Sequence, residues 1–426
     1  MRKTALNLLS VIGGEMLLRG ANFAAVVLVA RLYGASMLGT YATVLAVVSL
    51  AVMIADNGLQ VSSITEIARN PSELGATLGQ MYVIKTLLFV VMISILAAIG
   101  VWTNDSTLTW IMGGFLTIRT VLYSYCQLHG GVLKALDHMP AIGMIQTIHC
   151  VCLLMGIGLA LRYSWNVYAL LAWLLVCQAI ELVLSGSLLF QYKARPRWAS
   201  LSGCWRVLYH STPVGITYST AALILRADVL VLASLASTKE VGIFAAADIP
   251  LVMVYIVAWL LGGVVLPRMV GLSSNPPGLE AYVRGWIRLL MLTAIPACLV
   301  LAWVAPQLTR MLYGAQYASS GTLAAIMVLA VPFILMNSVY LSRAVASDSK
   351  SVFVGVYVGT AVLSVGLDRY LGQQLGSTGI AVAIVAREVA MFVAFALLGT
   401  RRLNQRSADR TSVLIPSIIH TTRASE

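Results

Sequence analysis

The chain has 426 residues, 59% of them hydrophobic and only 10% charged, with a mean hydropathy of +0.89. Soluble globular domains carry about 25% charged residues, so this composition excludes a soluble enzyme or binding module and describes a polytopic membrane protein. The net charge of +12 invites nucleic acid, yet most of the cations fall in loops and tail, where membrane topology accounts for them; no nucleic-acid partner is expected.

A membrane-spanning helix needs about 20 apolar residues. Windows of that size place twelve spans, near 8–31, 38–62, 78–101, 108–133, 141–161, 167–190, 209–236, 241–266, 286–308, 319–341, 351–370 and 377–399. Arg2 and Lys3 precede the first, as in a signal peptide. Its apolar run continues to Ala30 without a small-residue cleavage site, however, so it reads as an uncleaved span. Residues 401–426 are polar and basic and read as a mobile cytoplasmic tail. With the N-terminus inside, 18 Lys and Arg residues lie on the cytoplasmic side and 5 on the outer side. That bias predicts an even number of spans with both termini in the cytoplasm. Pro213, Pro250, Pro296 and Pro332 fall in or near spans of the second half, where each is expected to kink a helix.

The halves repeat. A shift of 203 positions without gaps lays 27–42 on 230–245, matching Ala30 with Ala233, Leu32 with Leu235, Gly39 with Gly242, Tyr41 with Phe244 and Ala42 with Ala245. The expected fold is therefore all-α, with about twelve transmembrane helices in two parallel six-helix halves around a central cavity. The lobes fall at 1–200 and 201–400, followed by the basic tail.

Five cations lie inside predicted spans: Arg19, Lys85, Arg119, Arg226 and Arg387. A basic residue at mid-membrane costs roughly 2.5–3.5 kcal/mol on insertion scales, so each should face a cavity or a partner. Arg19, Arg119 and Arg226 lie deep, whereas Lys85 and Arg387 are nearer span ends, where snorkelling to the interface or a structural pair is the alternative. Glu15 is one turn from Arg19 and Glu388 adjoins Arg387. Asp228, two residues from Arg226, diverges from it on a helix, so Arg226 needs another partner. Intramembrane acids are Glu15, Asp56, Glu181, Asp228, Asp248 and Glu388. A buried carboxylate can protonate and lose its charge, but a guanidinium cannot. Fixed cations in an apolar vestibule suit an anion, a phosphate or diphosphate above all. Glu15, Asp56, Asp228 and Asp248 are candidates to bind a coupling proton or sodium ion; Asp56, in Ala55-Asp56-Asn57-Gly58-Leu59, equally reads as a helix end. The six cysteines and five histidines are scattered without zinc or disulfide spacing, and no metal or other cofactor is expected.

Several segments together resemble one family. Leu225-Arg226-Ala227-Asp228 followed by Val241-Gly242-Ile243-Phe244-Ala245 is similar to the R-x-D … E-V-G-x-[YF] signature of polysaccharide transporters. These are the O-antigen or lipid-linked oligosaccharide flippases of the multidrug/oligosaccharidyl-lipid/polysaccharide superfamily. Ala30-Arg31-Leu32-Tyr33-Gly34 with Leu38-Gly39-Thr40-Tyr41, Asp56-Asn57-Gly58-Leu59, and Leu312-Tyr313-Gly314 with Tyr317 resemble further motifs of that family. The resemblance implies an alternating-access flippase that carries undecaprenyl-diphosphate-linked oligosaccharide from the cytoplasmic to the periplasmic leaflet of the bacterial inner membrane. Arg19, Arg119 and Arg226 would hold the diphosphate, with Lys85 and Arg387 adding to the field; Tyr218, Tyr255 and Asn337 are candidates to receive sugars. Phe244 stands where the family more often has Tyr. Twelve spans also omit the two extra helices of some lipid-II-type flippases, which sets the expectation against the peptidoglycan branch. The expected partners are the lipid-linked glycan and the polysaccharide polymerase and chain-length machinery, and the chain is expected to be a monomer.

Two other classes compete. A multidrug exporter of the same superfamily would prefer a cavity dominated by acids, against which the deep arginines tell. A membrane-embedded glycan polymerase or acyltransferase would need a large extramembrane loop or clustered His, Asp and Arg. Here the outer loops are short and no serine–histidine, phosphate-loop or dinucleotide motif appears, so the chain is not expected to be an enzyme.

Overall fold

Apolar runs in lipid can satisfy their backbone groups only as helices or closed barrels. Here they are helices, and among the described residues there is no strand. The computed structural model describes the backbone of residues 2–60, 66–67, 71–103, 107–198, 200–347 and 350–421, with side chains over 13–60, 66–67, 72–100, 107–198, 200, 202–216, 218–347 and 354–397. The helices are α1 (Arg2–Asp56), α2 (Leu74–Thr103), α3 (Thr107–Ala135), α4 (Met139–Tyr163), α5 (Val167–Gln191), α6 (Leu201–Leu235), α7 (Thr238–Gly271), α8 (Pro276–Tyr313), α9 (Ala318–Val328), α10 (Val331–Ala346) and α11 (Lys350–Thr421).

Among the described residues, nine helical stretches are long and apolar enough to cross a membrane. Two of these, Gly13–Asp56 and Val354–Leu397, run 44 residues each, about 66 Å and twice the hydrocarbon thickness. Each is broken near its middle, at Gly34 and Gly376 respectively, and so counts twice. α3 makes the twelfth: its 29 residues suffice for a crossing, although Arg119, His129 and Lys134 lower its apolarity. The expected number of spans is met. α11 carries on as helix to Thr421, where a mobile tail is expected. Side chains after 397 lie outside the described residues, as do those of Arg2, Lys3, Arg69 and Lys350.

Gly34 has φ 81° and ψ 178°, a region open essentially to glycine alone. Gly34→Ala should therefore cost about 1–3 kcal/mol, read as a lower melting temperature in detergent. Gly114→Ala, at a helical position with nothing within 4 Å of an added Cβ, should stay within about 0.5 kcal/mol of the parent.

The chain forms two compact units, Met1–Ile249 with Gln307–Gly321, and Pro250–Pro306 with Thr322–Glu426. The first is built on α1, which packs against α2, α3, α4 and α6. Its core joins Ala30, Leu38 and Tyr41 to Ala246, Tyr313 and Tyr317. Tyr317 Oη donates to Ala30 O at 3.2 Å, and Arg31 donates to the carbonyls of Met311 and Leu312 at the C-terminus of α8, where a cation complements the helix dipole. Motifs nearly 300 residues apart thus meet in one core. The contact between α1 and α7 is closer still. A Cβ added to Gly39 would stand 1.7 Å from Thr238 O, and one added to Gly242 would stand 1.8 Å from Ala35 O. Ala35 and Thr238 are themselves separated by the repeat offset of 203. The repeats therefore meet in a reciprocal contact between two small-xxx-small motifs, the pattern that lets helix backbones touch in lipid.

In the second unit α10 packs along α11. α7 and α8 contribute Val265, Met269, Leu279, Val283, Ile287 and Leu290 to a core with Met336 and Val339 of α10. Pro213, Pro250 and Pro296 lie inside helices. Pro332 instead occupies the first turn of α10, after the break at Leu329–Ala330; lacking an N–H, it starts a helix there rather than kinking one.

Candidate functional site

A polar cluster of the first unit sits where α1 faces α3. Arg19 reaches back one turn to Glu15, with Nε 2.9 Å and NH2 2.7 Å from Oε1, as their spacing predicts. Glu15 Oε2 also accepts from Gln146 Nε2 of α4 at 2.6 Å. On its other side Arg19 has Tyr123 of α3 within its electrostatic range. One turn along, Arg119 NH2 donates to Asn22 Oδ1 at 3.1 Å. Residues 19 and 22 of α1 therefore stand opposite 123 and 119 of α3, two rungs of one ladder. Among the described residues Arg119 pairs with no carboxylate, and its Nε is buried without a partner. Behind the ladder, Glu181 Oε2 takes His149 Nδ1 at 2.5 Å and Gln178 Nε2 at 2.7 Å. Gln146 Oε1, His149 Nε2 and Gln178 Oε1 are buried and unbonded. A polar atom left in that state costs about 1–3 kcal/mol, and the two amide oxygens, being acceptors, suit donors such as sugar hydroxyls.

Lys85 does not snorkel. It is 0% exposed, with Nζ 2.5 Å from Asp56 Oδ1 and donating to Ser124 O at 2.9 Å, between the rings of Phe89 and Tyr125. Asp56 takes the helix-end place expected of it and adds a partner that was not foreseen. It is the last residue of α1, before Asn57 and Gly58 at positive φ, and it is the counter-ion of Lys85. Lys85→Met should cost about 2 kcal/mol in detergent melts, below the 3–5 kcal/mol typical of a fully buried pair, because Asp56 keeps the Ser124 hydroxyl at 2.9 Å. Lys85→Met with Asp56→Leu should recover part of that loss.

Arg226 finds the partner its own helix denies it: Asp248 of α7 and Tyr41 of α1 lie in its electrostatic range, while Asp228 is buried on α6. Arg387 belongs to the second unit and is 1% exposed, so it too is interior rather than snorkelling. It donates to Ser364 Oγ at 3.0 Å and Tyr255 Oη at 3.2 Å, with Nε 3.5 Å from Glu388. Tyr255 and Asn337, candidates to receive sugars, are spent holding Glu388 at 2.8 and 3.0 Å.

Of the candidate residues, then, Arg19, Arg119 and Glu15 share one site. The Lys85–Asp56 pair and Arg226, with Asp248 in its electrostatic range, stand apart from it in the first unit, and Arg387 is in the second. Sequence reasoning gave no site role to Tyr123, Gln146, His149, Gln178 or Glu181. The spacing of Gln146 from His149 and of Gln178 from Glu181, three residues each, puts each pair on one helix face and was the available signal.

No curated protein matches the chain in sequence. Solved structures share its fold. One is "Lipid II flippase MurJ, inward closed conformation", at a TM-score of 0.75 and 13% identity over 92% of this chain and 87% of that one. A second is an inward-facing multidrug resistance MATE family transporter of the MOP superfamily, at 0.69 and 14% over 90% and 94%. A third is a MOP superfamily transporter from Pyrococcus furiosus, described as having a binding pocket of reverse polarity, at 0.63 and 14% over 94% and 95%. By description these are a flippase and two transporters, not enzymes, and at such identities the likeness is one of fold. The family profile "Polysaccharide biosynthesis protein" matches residues 5–273, well over half of the sequence, and the chain belongs to that family.

Proposed function

We propose that this protein is a flippase for undecaprenyl-diphosphate-linked oligosaccharide, an O-antigen or related repeat unit, in the bacterial inner membrane with both termini cytoplasmic. Arg119 carries the reading. It is a half-buried guanidinium in the middle of a membrane-spanning helix, held by neutral Asn22 and with Nε bare. A permanent cation without a counter-ion in that setting favours an anion, and the planar fork suits a phosphate oxygen pair. Arg19 is the second ligand, masked by Glu15. Protonation of Glu15 breaks that ion pair and frees Arg19 for the diphosphate, which would couple a proton to substrate capture. Arg226 adds to the positive field. The polyprenyl chain stays in hydrocarbon while the site takes the diphosphate and sugars, exposed to one leaflet and then the other by alternation of the repeats 1–200 and 201–400. A monomer suffices, with polymerase and chain-length proteins as partners. Drug export is the weaker reading, because Glu15, Asp56 and Glu388 are each engaged by a cation.

Proteoliposomes test it. A fluorescent polyprenyl-diphosphate disaccharide in one leaflet should become accessible to an enzyme or quencher on the other side faster than in empty vesicles. An imposed proton gradient should accelerate the wild type and leave Glu15→Gln unchanged. Movement of a cationic dye in place of the glycan lipid would sink the reading; equal acceleration of Glu15→Gln would remove only the coupling role.

A further inference from the structure

A groove of about 890 Å³ opens between the start of α2 and the end of α5. Leu78, Val83, Leu189 and Phe190 line it, and Arg197 and Trp198 lie at its rim. From Leu78 to Val83 it follows α2 for about 8 Å. Leu78 is about one turn inside the start of α2, and Phe190 is in the last turn of α5, so the groove lies where the helix ends meet the membrane surface.

The segment bearing Arg197 is fixed on α2. Arg197 N donates to Gly75 O at 2.8 Å. A Cβ on Gly79 would stand 1.9 Å from Arg197 O, and one on Gly75 would stand 2.8 Å from Arg195 O. Two glycines four residues apart thus admit the loop backbone directly onto the helix. The guanidinium of Arg197 pairs with no acid among the described residues. Residues 192–206, YKARPRWASLSGCWR, hold four cations and no acid. Trp198 is 99% exposed, although indole rings prefer the headgroup layer to water.

We propose that this groove binds an anionic phospholipid of the bilayer. The phosphate meets Arg197, the first chain carbons lie against Leu78, Val83 and Phe190, and Trp198 sits beside the headgroup. Basic segments at a membrane surface attract anionic lipid. Here an apolar slot and an anchored cation add shape to that attraction.

The test is native mass spectrometry of the full chain in detergent, titrated with phosphatidylglycerol or phosphatidylcholine. The wild type should retain at least fivefold more phosphatidylglycerol at equal concentration. Arg197→Gln should bring the ratio near one while its lipid-free melting temperature is unchanged. Gly186, which also lines the groove, has only the His129 ring within reach of an added Cβ, at 3.7 Å; Gly186→Leu fills the groove from there and should reduce both lipids. Independently of any folding change at Arg197, brominated phosphatidylglycerol should quench the wild type more than Trp198→Phe. Equal retention of the two lipids by the wild type, an unchanged preference in Arg197→Gln, or equal quenching of Trp198→Phe overturns the proposal. Displacement of bound phosphatidylglycerol by one equivalent of a polyprenyl diphosphate would also overturn it, assigning the groove to the flipped lipid.

Discussion

Arg119→Ala is expected to reduce surface glycan by tenfold or more in a strain lacking its own glycan flippase, at unchanged membrane abundance. A hydrogen bond to a charged group is worth about 1.5–3 kcal/mol, and each 1.4 kcal/mol is a factor of ten. The loss should fall on function rather than folding, because among the described residues the hydrogen-bond partner deprived is the Asn22 amide oxygen, which neutral donors can serve. Arg119→Lys keeps the charge without the planar fork and should retain partial export. Arg119→Glu sets a carboxylate against the diphosphate and should export nothing. Arg19→Ala is expected to be milder, since the parent side chain is already engaged by Glu15. Normal export by Arg119→Ala would dismiss the anion site.

Gly39→Ala and Gly242→Ala should each cost more than about 3 kcal/mol, above the usual range for forcing bulk into a close-packed interface. The added methyl would meet a backbone carbonyl at 1.7 or 1.8 Å, and a backbone, unlike a side chain, cannot turn aside. The measurement is melting temperature and yield of folded protein in detergent, with Gly263→Ala, which meets nothing within 4 Å, as the control. The double variant should cost clearly less than the sum, because the first methyl already parts the helices that the second would part. Full additivity, or a tolerated single variant, would mean that α1 and α7 are not held at this contact.

The architecture was legible because hydropathy reports long lipid-facing helices directly, and even the joined crossings of α1 were separable at Gly34. The intrahelical pair Glu15–Arg19 was legible for the same local reason, spacing on one helix. Partners between helices were not. Asp248 of Arg226 and Asp56 of Lys85 depend on how each helix is rotated about its axis, which an apolar run facing lipid and protein alike does not record. Lys85 shows the consequence: nearness to a span end suggested snorkelling, whereas it is buried against Asp56; for Arg387 the structural pair with adjoining Glu388 was legible and is present. The segments at Arg31, Gly39, Gly242 and Tyr317 resembled a transporter signature, yet these residues serve packing and helix capping rather than the polar ladder.

The reciprocal meeting of Gly39 with Thr238 and of Gly242 with Ala35 has the form of an interface between two copies of one molecule, in which residue i touches j and j touches i. Such a junction is self-consistent from the first moment two identical subunits pair, so it can antedate the tandem fusion that put both copies on one polypeptide. In a homodimer encoded by one gene, every mutation strikes both sides of the axis at once, and a charge introduced into one copy is introduced into its twin. After fusion the sides could drift apart: at the offset of 203, Arg19 now lies opposite Ala222, and Arg226 opposite Phe23. The repeats are alike where backbone touches backbone, while their charge is distributed unequally, which a strict homodimer cannot have and which suits a ligand that itself has no twofold axis.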